Sequence, residues 1–317
     1  MKVNEHIAQR NKTLFSFEIL PPLKGVGIQS IYKTLDPLME FKPPFINVTY
    51  HRSEFIFRKT ADGEFEKKIV RKRPGTAGIC AAIMTKYNID AVPHLICGGF
   101  SIDETEDVLI ELDFLGINNV LLLRGDKMKS EEVFTSQNDG HKNATELVKQ
   151  ANRMNKGIYL EEELNNAMPT DFCIGVAGYP EKHYEAPDMN SDLIYLKEKV
   201  DAGAHYIVTQ MFFDNKKYFE FVKSCRNAGI TVPIIPGLKP ITTKKQITNL
   251  PKIFNVEIPK DLLKEFEKCD NENDFKKVGI EWSINQCKEL IKENVPVIHY
   301  YTMSNSESVK NIVEKLA

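Results

Sequence analysis

One stretch of the chain indicates its architecture: YIVTQMFFDNKKYFEFVKSCRNAGITVPIIP, Tyr206–Pro236. Its two ends, Tyr206–Gln210 and Val232–Pro236, are short apolar runs rich in β-branched residues, a composition typical of strands. The part between them, NKKYFEFVKSCRNAGI, has apolar residues at helical spacing and stops near Gly229, as many helices do at glycine. A strand, a helix and a parallel strand form the repeating unit of α/β proteins.

The same alternation extends over the rest of the chain. Six further apolar runs predict strands: Thr13–Ile19, Phe45–Tyr50, Ala91–Ile96, Asn119–Leu123, Phe172–Val176 and Pro296–Tyr300. Amphipathic stretches follow, including one capped by Ser101 that ends at Gly116 and one from Ser191 to near Gly203. Eight such units predict an α/β fold of the (β/α)8 TIM-barrel type, with a doubly wound open sheet as the alternative.

Three segments outside the strands complete this picture. The stretch Ile258–Glu293 predicts extra helix before the eighth strand, and apolar positions within Asp261–Phe266 are predicted to join the core. The lysine-rich segment Arg58–Arg73 is predicted to form a solvated face, and Lys127–Lys142 a polar, mobile loop. No composition shift marks a second domain, so residues 1–317 are interpreted as one catalytic barrel domain.

The overall composition excludes several classes of protein. The 317 residues are 42% hydrophobic and 27% charged with a net charge of −2, which excludes wholesale disorder and a bulk cationic field for nucleic acid or an anionic membrane. The N-terminus lacks the apolar core of a signal peptide, and no apolar run approaches the ~18 residues that span a bilayer. The six cysteines form no CxxC pair, which predicts reduced thiols, no metal site and a cytoplasmic location.

Polar and titratable residues follow the predicted strands at their C-terminal ends, where (β/α)8 barrels have their active sites. Glu18 is the most informative, because it lies inside the apolar run FSFEIL. A carboxylate there is either paired with a cation inside the barrel or partly desolvated. A desolvated carboxyl holds its proton closer to neutral pH, which would make Glu18 a general acid.

Two glycine-containing motifs are candidates for phosphate binding. Arg124-Gly125-Asp126 ends the fourth predicted strand, and its guanidinium could fork onto a phosphate, although a surface turn with an ion pair explains it almost as well. Gly25-Val26-Gly27 does not directly follow a strand and lacks the third glycine of a Rossmann fingerprint. A dinucleotide would therefore have to bind by other means.

The ordered set of strand-end motifs resembles the bacterial 5,10-methylenetetrahydrofolate reductase family. The motifs are FSFEILPP, VTY, PHL, LLLRGD, VAGYPEKH, LKEKVDAGA, TQMFFD and IIPGLKP, spread from Thr13 to about Thr302. The resemblance implies a barrel that holds FAD at its C-terminal rim and reduces 5,10-methylenetetrahydrofolate to 5-methyltetrahydrofolate in a ping-pong cycle. It also implies NADH or NADPH as co-substrate and a homo-oligomer whose partners are small molecules, with neither nucleic acid nor membrane involved.

The resemblance also implies roles for individual residues. Glu18 and Asp126 are the implied catalytic residues, with Glu18 protonating the leaving nitrogen of the folate. The implied FAD-binding residues are Thr49, Tyr50, His94, Arg124, Gly125, Asp126, Ala144, Tyr179, His183, Ala186, Asp192 and Lys199. The implied folate contacts are Asp126, Gln210 and Gln246, and Gln210 lies where family members also contact the nicotinamide.

The chain departs from the family pattern at several peripheral positions. They are Arg52 after the VTY motif, Asn143 for a tyrosine, Glu198 for an arginine, Leu250 for a phenylalanine, and Asn305 for an arginine that meets the folate tail. The departures at Arg52, Glu198, Leu250 and Asn305 keep one alternative open, and a second alternative is independent of them. One is a non-catalytic flavin- or folate-binding barrel subunit of a methyl-transfer complex. The other is a flavin barrel oxidoreductase of different specificity, similar to proline dehydrogenase.

Overall fold

The structure is a computed structural model that describes residues 1–128, 131–161, 164, 166–303 and 306–316. Its strands are β1 (Leu14–Ile19), β2 (Phe45–Val48), β3 (Glu54–Lys59), β4 (Phe65–Val70), β5 (Asp90–Ile96), β6 (Asn119–Leu123), β7 (Cys173–Gly178), β8 (Tyr206–Thr209), β9 (Ile234–Ile235), β10 (Gly237–Leu238) and β11 (Val297–Met303). Its helices are α1 (Val3–Gln9), α2 (Gln29–Leu35), α3 (Thr76–Tyr87), α4 (Ile102–Phe114), α5 (Ala144–Met154), α6 (Met189–Asp201), α7 (Asn215–Asn227), α8 (Lys244–Phe254), α9 (Lys260–Glu267), α10 (Glu272–Lys292) and α11 (Glu307–Glu314). No helix within these ranges is long and apolar enough to cross a membrane.

In the described part of the chain, nine strands form one sheet in the order β10-β11-β1-β2-β5-β6-β7-β8-β9, and all neighbouring pairs are parallel. β9 and β10 are two halves of the seventh strand, separated by Pro236, which has no N–H for a ladder. β9 pairs with β8 and β10 pairs with β11, so the sheet closes on itself. The predicted (β/α)8 barrel is confirmed, and the open doubly wound sheet is excluded.

Some predicted boundaries are confirmed and others are wrong. Ser101 caps α4 as predicted, with its Oγ accepting a first-turn backbone N–H at 3.1 Å. α6 begins at Met189 rather than at Ser191, because the Asp188 carboxylate caps it by accepting from the Ser191 N–H at 2.7 Å. Of the strand predicted over Val232–Pro236, only Ile234–Ile235 is strand, and the seventh strand resumes beyond Pro236 as Gly237–Leu238.

The barrel interior is apolar toward its N-terminal end and polar toward its C-terminal end. Apolar side chains fill the lower part in a buried cluster to which α1 contributes Val3 and Ile7. The Val3 N–H donates to Asn119 Oδ1 at 2.8 Å, which holds α1 against this end of the barrel. Outward-facing strand residues pack under the surrounding helices in a larger cluster. Polar groups are therefore concentrated at the C-terminal mouth, where the loops after the strands converge.

Three segments surround the barrel. Most of Arg58–Arg73 lies in the β3–β4 hairpin, which sequence analysis did not identify, and its side chains are mostly exposed as predicted. The extra helical segment predicted over Ile258–Glu293 is confirmed as α9 and α10. Leu262 and Phe266 of α9 are buried, as predicted for core positions. The described residues of Lys127–Lys142 form neither helix nor strand.

Candidate active site

Glu18 lies inside the barrel at its C-terminal mouth. Phe17 and Ile19 pack outward under the helices, so the alternation of β1 directs Glu18 toward the barrel axis, where it is 6% exposed. Its Oε2 lies 3.5 Å from His94 Nε2 and 3.7 Å from His299 Nε2. Both distances exceed those of ordinary hydrogen bonds. None of the described lysines or arginines forms an ion pair with this carboxyl, so the predicted alternative of a cation-paired glutamate is wrong.

Burial keeps one of the flanking imidazoles neutral. Burial lowers the pKa of His94 to about 4, although the negative charge of Glu18 acts to raise it. Asn47 Nδ2 lies 3.2 Å from His94 Nε2, a distance at which it donates to the neutral ring. On the other side, His299 Nδ1 lies 2.8 Å from Ser16 Oγ. The Glu18 carboxyl therefore faces a neutral ring at His94.

Three buried polar atoms at this mouth have no hydrogen-bond partner among the described residues. They are Asn47 Oδ1, Thr49 Oγ1 and His299 Nε2. A buried polar atom left unpaired costs about 1–3 kcal/mol, so such atoms are uncommon in folded proteins and mark places where a ligand can complete the hydrogen bonding. Their grouping near Glu18 indicates a binding site for a polar small molecule.

The Arg124-Gly125-Asp126 motif lies on the rim beside this mouth. The Arg124 guanidinium pairs with Glu185, with Nη2 donating to Oε1 at 3.0 Å, and lowers the pKa of that carboxyl to about 2. Gly125 has a φ of +86°, and an added Cβ would lie 3.1 Å from Ile96, so the turn requires glycine. Asp126 is exposed. The motif is thus a turn with an ion pair at the C-terminal rim, which confirms the turn interpretation and leaves its role in phosphate binding a prediction.

The loop after β7 and the helix α6 that follows it carry four more of the predicted residues. The Tyr179 and His183 rings meet edge to face with centroids 4.8 Å apart, and the His183 N–H donates to Asp192 Oδ2 at 2.9 Å. Burial raises the pKa of Asp192 and lowers that of Lys199 to about 8, while their opposite charges oppose both shifts. Lys199 Nζ donates to the Ala177 carbonyl at 2.6 Å. The Lys199 bond to Ala177 ties α6 to the C-terminal end of β7, from which the loop with Tyr179 and His183 continues.

The two predicted folate-binding glutamines have different surroundings. Gln210 directly follows β8, and its Oε1 accepts from the Met211 N–H at 2.9 Å at the mouth. Gln246 Oε1 accepts from the backbone N–H groups of Thr242 at 2.7 Å and Thr243 at 3.0 Å, which caps α8. Its amide oxygen therefore already has a structural role, and a ligand contact would fall to its amide nitrogen.

Several residues that depart from the family pattern make structural contacts. Asn143 caps α5, with its Oδ1 accepting from a backbone N–H at 3.0 Å, and places Ala144 at the first turn of that helix. Arg52 pairs with Glu131. Leu250 is 5% exposed within an apolar cluster. Glu198 is exposed on α6 and shows no such contact, whereas the departure at Asn305 lies outside the described residues.

Three residues of the mouth were missed as site residues in sequence analysis: Asn47, Lys239 and His299. Each is a single polar residue at an inward-facing position of an otherwise apolar strand or just beyond its end. The signal that could have found them is the two-residue spacing from apolar, inward-facing neighbours such as Phe45 and Val297. Among the described residues, no group of three or more His, Cys, Asp or Glu is arranged to hold a metal ion.

A buried carboxyl at the C-terminal mouth of a (β/α)8 barrel, beside unpaired polar atoms, is the arrangement expected of a candidate small-molecule site. The family model for methylenetetrahydrofolate reductase matches residues 2–317, and the chain belongs to this family. The family match favours the folate-related interpretation over a barrel similar to proline dehydrogenase.

Individual relatives agree with this assignment. The chain is 32% identical over 310 residues to the 5,10-methylenetetrahydrofolate reductase of Salmonella typhimurium, covering 96% of this chain and 91% of that protein. It is 32% identical over 329 residues to a probable methylenetetrahydrofolate reductase (NADH) of Oryza sativa, covering 100% of this chain and 50% of that protein. The chain spans about half the length of the eukaryotic relatives it matches.

A solved structure has the same fold. It is an uncharacterized protein from Clostridium thermocellum that binds two copies of 5-methyl-5,6,7,8-tetrahydrofolic acid. The two share a TM-score of 0.57 and 13% sequence identity, over 99% of this chain and 98% of that one. At this identity the similarity supports the barrel fold alone.

Proposed function

We propose that the protein catalyses the FAD-dependent reduction of 5,10-methylenetetrahydrofolate to 5-methyltetrahydrofolate, with NADH or NADPH as electron donor. The observation that carries the proposal is the Glu18 carboxyl, buried at the barrel mouth between His94 and His299 in a chain of this family. The rice relative's name specifies NADH, and the Clostridium thermocellum protein of the same fold binds a methylated folate.

The residues of the rim fit FAD. Thr49 Oγ1 is a buried hydroxyl without a partner, and Gly125 leaves room where a side chain would press on Ile96. Arg124 retains guanidinium donors beyond those that pair with Glu185. The helix α5 follows β6 and begins at Ala144 at the same end of the barrel, so its first N–H groups could meet a diphosphate. FAD supplies the hydride chemistry, which no amino-acid side chain provides.

Residues of the loop after β7 would hold the rest of the cofactor. In the proposal, Lys199 supplies a positive charge, and Tyr179 and His183 supply rings and ring nitrogens at the mouth. Asp192 holds the loop in place through the His183 N–H. The remaining members of the proposed set are Tyr50, His94, Asp126 and Ala186.

Glu18 would act as the general acid. Opening the five-membered ring of the substrate requires a proton on the departing nitrogen, and a carboxyl is an effective donor when it is buried and within reach. His94 is neutral in this environment, so no positive charge on that ring competes with the substrate for the Glu18 carboxyl. The absence of any short hydrogen bond to either imidazole leaves both carboxyl oxygens accessible to substrate or a bridging water.

The remaining polar groups would orient the folate. Asp126 is an exposed carboxylate on the rim that can accept from the amino edge of a pterin ring. Gln210 presents its amide at the end of β8 and can hydrogen-bond the same ring. The amide nitrogen of Gln246, whose oxygen caps α8, is a further donor. All three act by positioning, which brings the reacting carbon to a productive distance.

An anaerobic absorption experiment tests the proposal. Flavin bands that bleach with NADH and return with methylenetetrahydrofolate are the expected result for the wild-type protein. Glu18→Gln should still bleach with NADH but lose the folate step at least a hundredfold. Glu220→Gln, at an exposed position of α7, is the matched control and should behave as wild type.

The possible outcomes separate the competing functions. Bleaching without return would assign a different electron acceptor to the barrel. A protein that takes up no FAD would overturn the proposal and leave the non-catalytic binding subunit to pursue. Equal loss of both half-reactions in Glu18→Gln would refute the role given to this carboxyl.

A further inference from the structure

Lys239 lies in the barrel mouth at the level of Glu18. Leu238 packs outward in the helix-facing cluster, so the next residue along the strand direction, Lys239, faces the interior. Leu238 pairs with Tyr300, and the following residue of β11, Tyr301, pairs with Glu18. The register therefore places Lys239 level with Tyr301 on the next strand and with Glu18 on the strand after that. Neighbouring strands are about 4.8 Å apart, so the backbones of Lys239 and Glu18 are separated by roughly 10 Å.

The ammonium of Lys239 has little to compensate its charge. Its Nζ donates to the Tyr301 carbonyl oxygen at 3.2 Å, and it forms no ion pair with any described carboxylate. Burial lowers the pKa of Lys239, while the negative charge of Glu18 acts in the opposite direction. An ammonium has three protons to donate, so a single long hydrogen bond to a neutral carbonyl leaves donor capacity unused.

Lys217 shows how the same protein treats a structural lysine. Its Nζ pairs with both Glu181 and Glu257, at 2.5 and 2.6 Å. A partly buried cation without such partners is costly, and it is stabilised when an anion arrives. Lys239 thus has the surroundings of an anion-binding residue rather than of a structural one.

We propose that Lys239 binds an oxyanion of the substrate, namely a carboxylate of the folate's glutamate tail. The inference rests on the proposed function, which brings the folate's reacting nitrogen to Glu18. The benzoyl group of the folate separates that nitrogen from the glutamate carboxylates, so a molecule that reaches Glu18 extends along the mouth. Lys239 lies in that mouth, two strands away. The diphosphate of the nicotinamide dinucleotide is the other oxyanion that could reach it, and the test distinguishes the two.

The experiment compares ligands with and without the glutamate. Equilibrium binding to the FAD-loaded protein is measured for 5-methyltetrahydrofolate and for the N-methylamide of 5-methyltetrahydropteroic acid, which keeps the benzoyl amide but carries no carboxylate. Wild-type protein should bind the glutamate-bearing compound about tenfold or more tightly, as expected for a charge-assisted hydrogen bond. Lys239→Met should remove most of this preference, and Lys239→Arg should retain it. Lys223→Met, at an exposed position of α7, is the matched control.

Each alternative outcome overturns the assignment in a recognisable way. Equal weakening of both compounds in Lys239→Met would mean that Lys239 acts on the ring system or on Glu18. A rise in the KM for NADH alone would move the oxyanion to the dinucleotide. A wild-type protein with no preference for the glutamate-bearing compound refutes the proposal without any variant. A wild-type protein that binds neither compound refutes the proposed function itself.

Discussion

The helix added before the eighth strand rests directly on backbone at Gly279 of α10. An added Cβ at this position would overlap the carbonyl oxygen of Ile241 and lie 2.8 Å from its carbon. Because the obstacle is main chain rather than the end of a flexible side chain, α10 and the Ile241 segment would have to move apart. That segment begins just after Lys239 and leads into α8, so the displacement would reach the barrel mouth.

Gly279→Ala should destabilise the protein by about 2 kcal/mol. Overpacking of a close buried contact costs about 3 kcal/mol. The better helix propensity of alanine returns about 1 kcal/mol. The matched control is Gly78→Ala in α3, where an added Cβ meets no atom within 4 Å and a gain of up to about 1 kcal/mol is expected.

Urea unfolding followed by circular dichroism measures both variants under one condition. Gly279→Ala should unfold at a lower urea concentration than wild type and Gly78→Ala at an equal or higher one. Folate binding should weaken in Gly279→Ala more than FAD binding, because the Ile241 segment adjoins Lys239 and not the rim at Gly125. Equal stabilities of the two alanine variants would refute the close helix-to-backbone contact.

Two further substitutions test the rim and the core. The Arg124 guanidinium lowers the pKa of Glu185 from 4.5 to about 2, so their ion pair stabilises the folded state above pH 4.5, and this contribution is lost as the pH falls toward 2. Because the pair is partly exposed, Glu185→Gln should lose about 0.5 kcal/mol at pH 7 and progressively less below pH 4, and a pH-independent loss in urea unfolding would contradict this. Leu250→Phe, which restores the family residue, should lower stability by about 1–3 kcal/mol because Leu250 is buried in an apolar cluster. Tighter folate binding with unchanged stability in Leu250→Phe would show instead that this side chain faces the mouth.

The fold could be predicted from the sequence because parallel strands that are covered on both faces have continuous apolar sequences. The break in the seventh strand was not predicted, since Pro236 lies between two halves that are equally apolar, and only ring closure shows that each half pairs with a different neighbour. The β3–β4 hairpin was missed for another reason. Its residues are mostly exposed and charged, so burial leaves no periodic signal there.

In the candidate site, too, some residues could be predicted from the sequence and others could not. Glu18 and Arg124 could be predicted because a charged residue within or at the end of an apolar strand is conspicuous. Lys239 and His299 were not recognised, because their importance depends on which face of the strand they occupy and on what stands across the barrel. Asn47 is a small amide inside a four-residue strand, and its unpaired oxygen is visible only when its neighbours are known.

The departures from the family pattern bear on the choice between an enzyme and a binding subunit. A barrel that had lost catalysis would be expected to lose groups that touch the reacting atoms, yet Glu18 remains buried at the mouth. Asn143, Arg52 and Leu250 have instead become a helix cap, an anchor for the Glu131 segment and a core residue. At each of these positions the residue that differs from the family pattern makes stabilising contacts of its own with its neighbours. The substitutions therefore change how the rim is supported and leave the proposed acid in place, which favours an enzyme whose periphery has diverged around a retained centre.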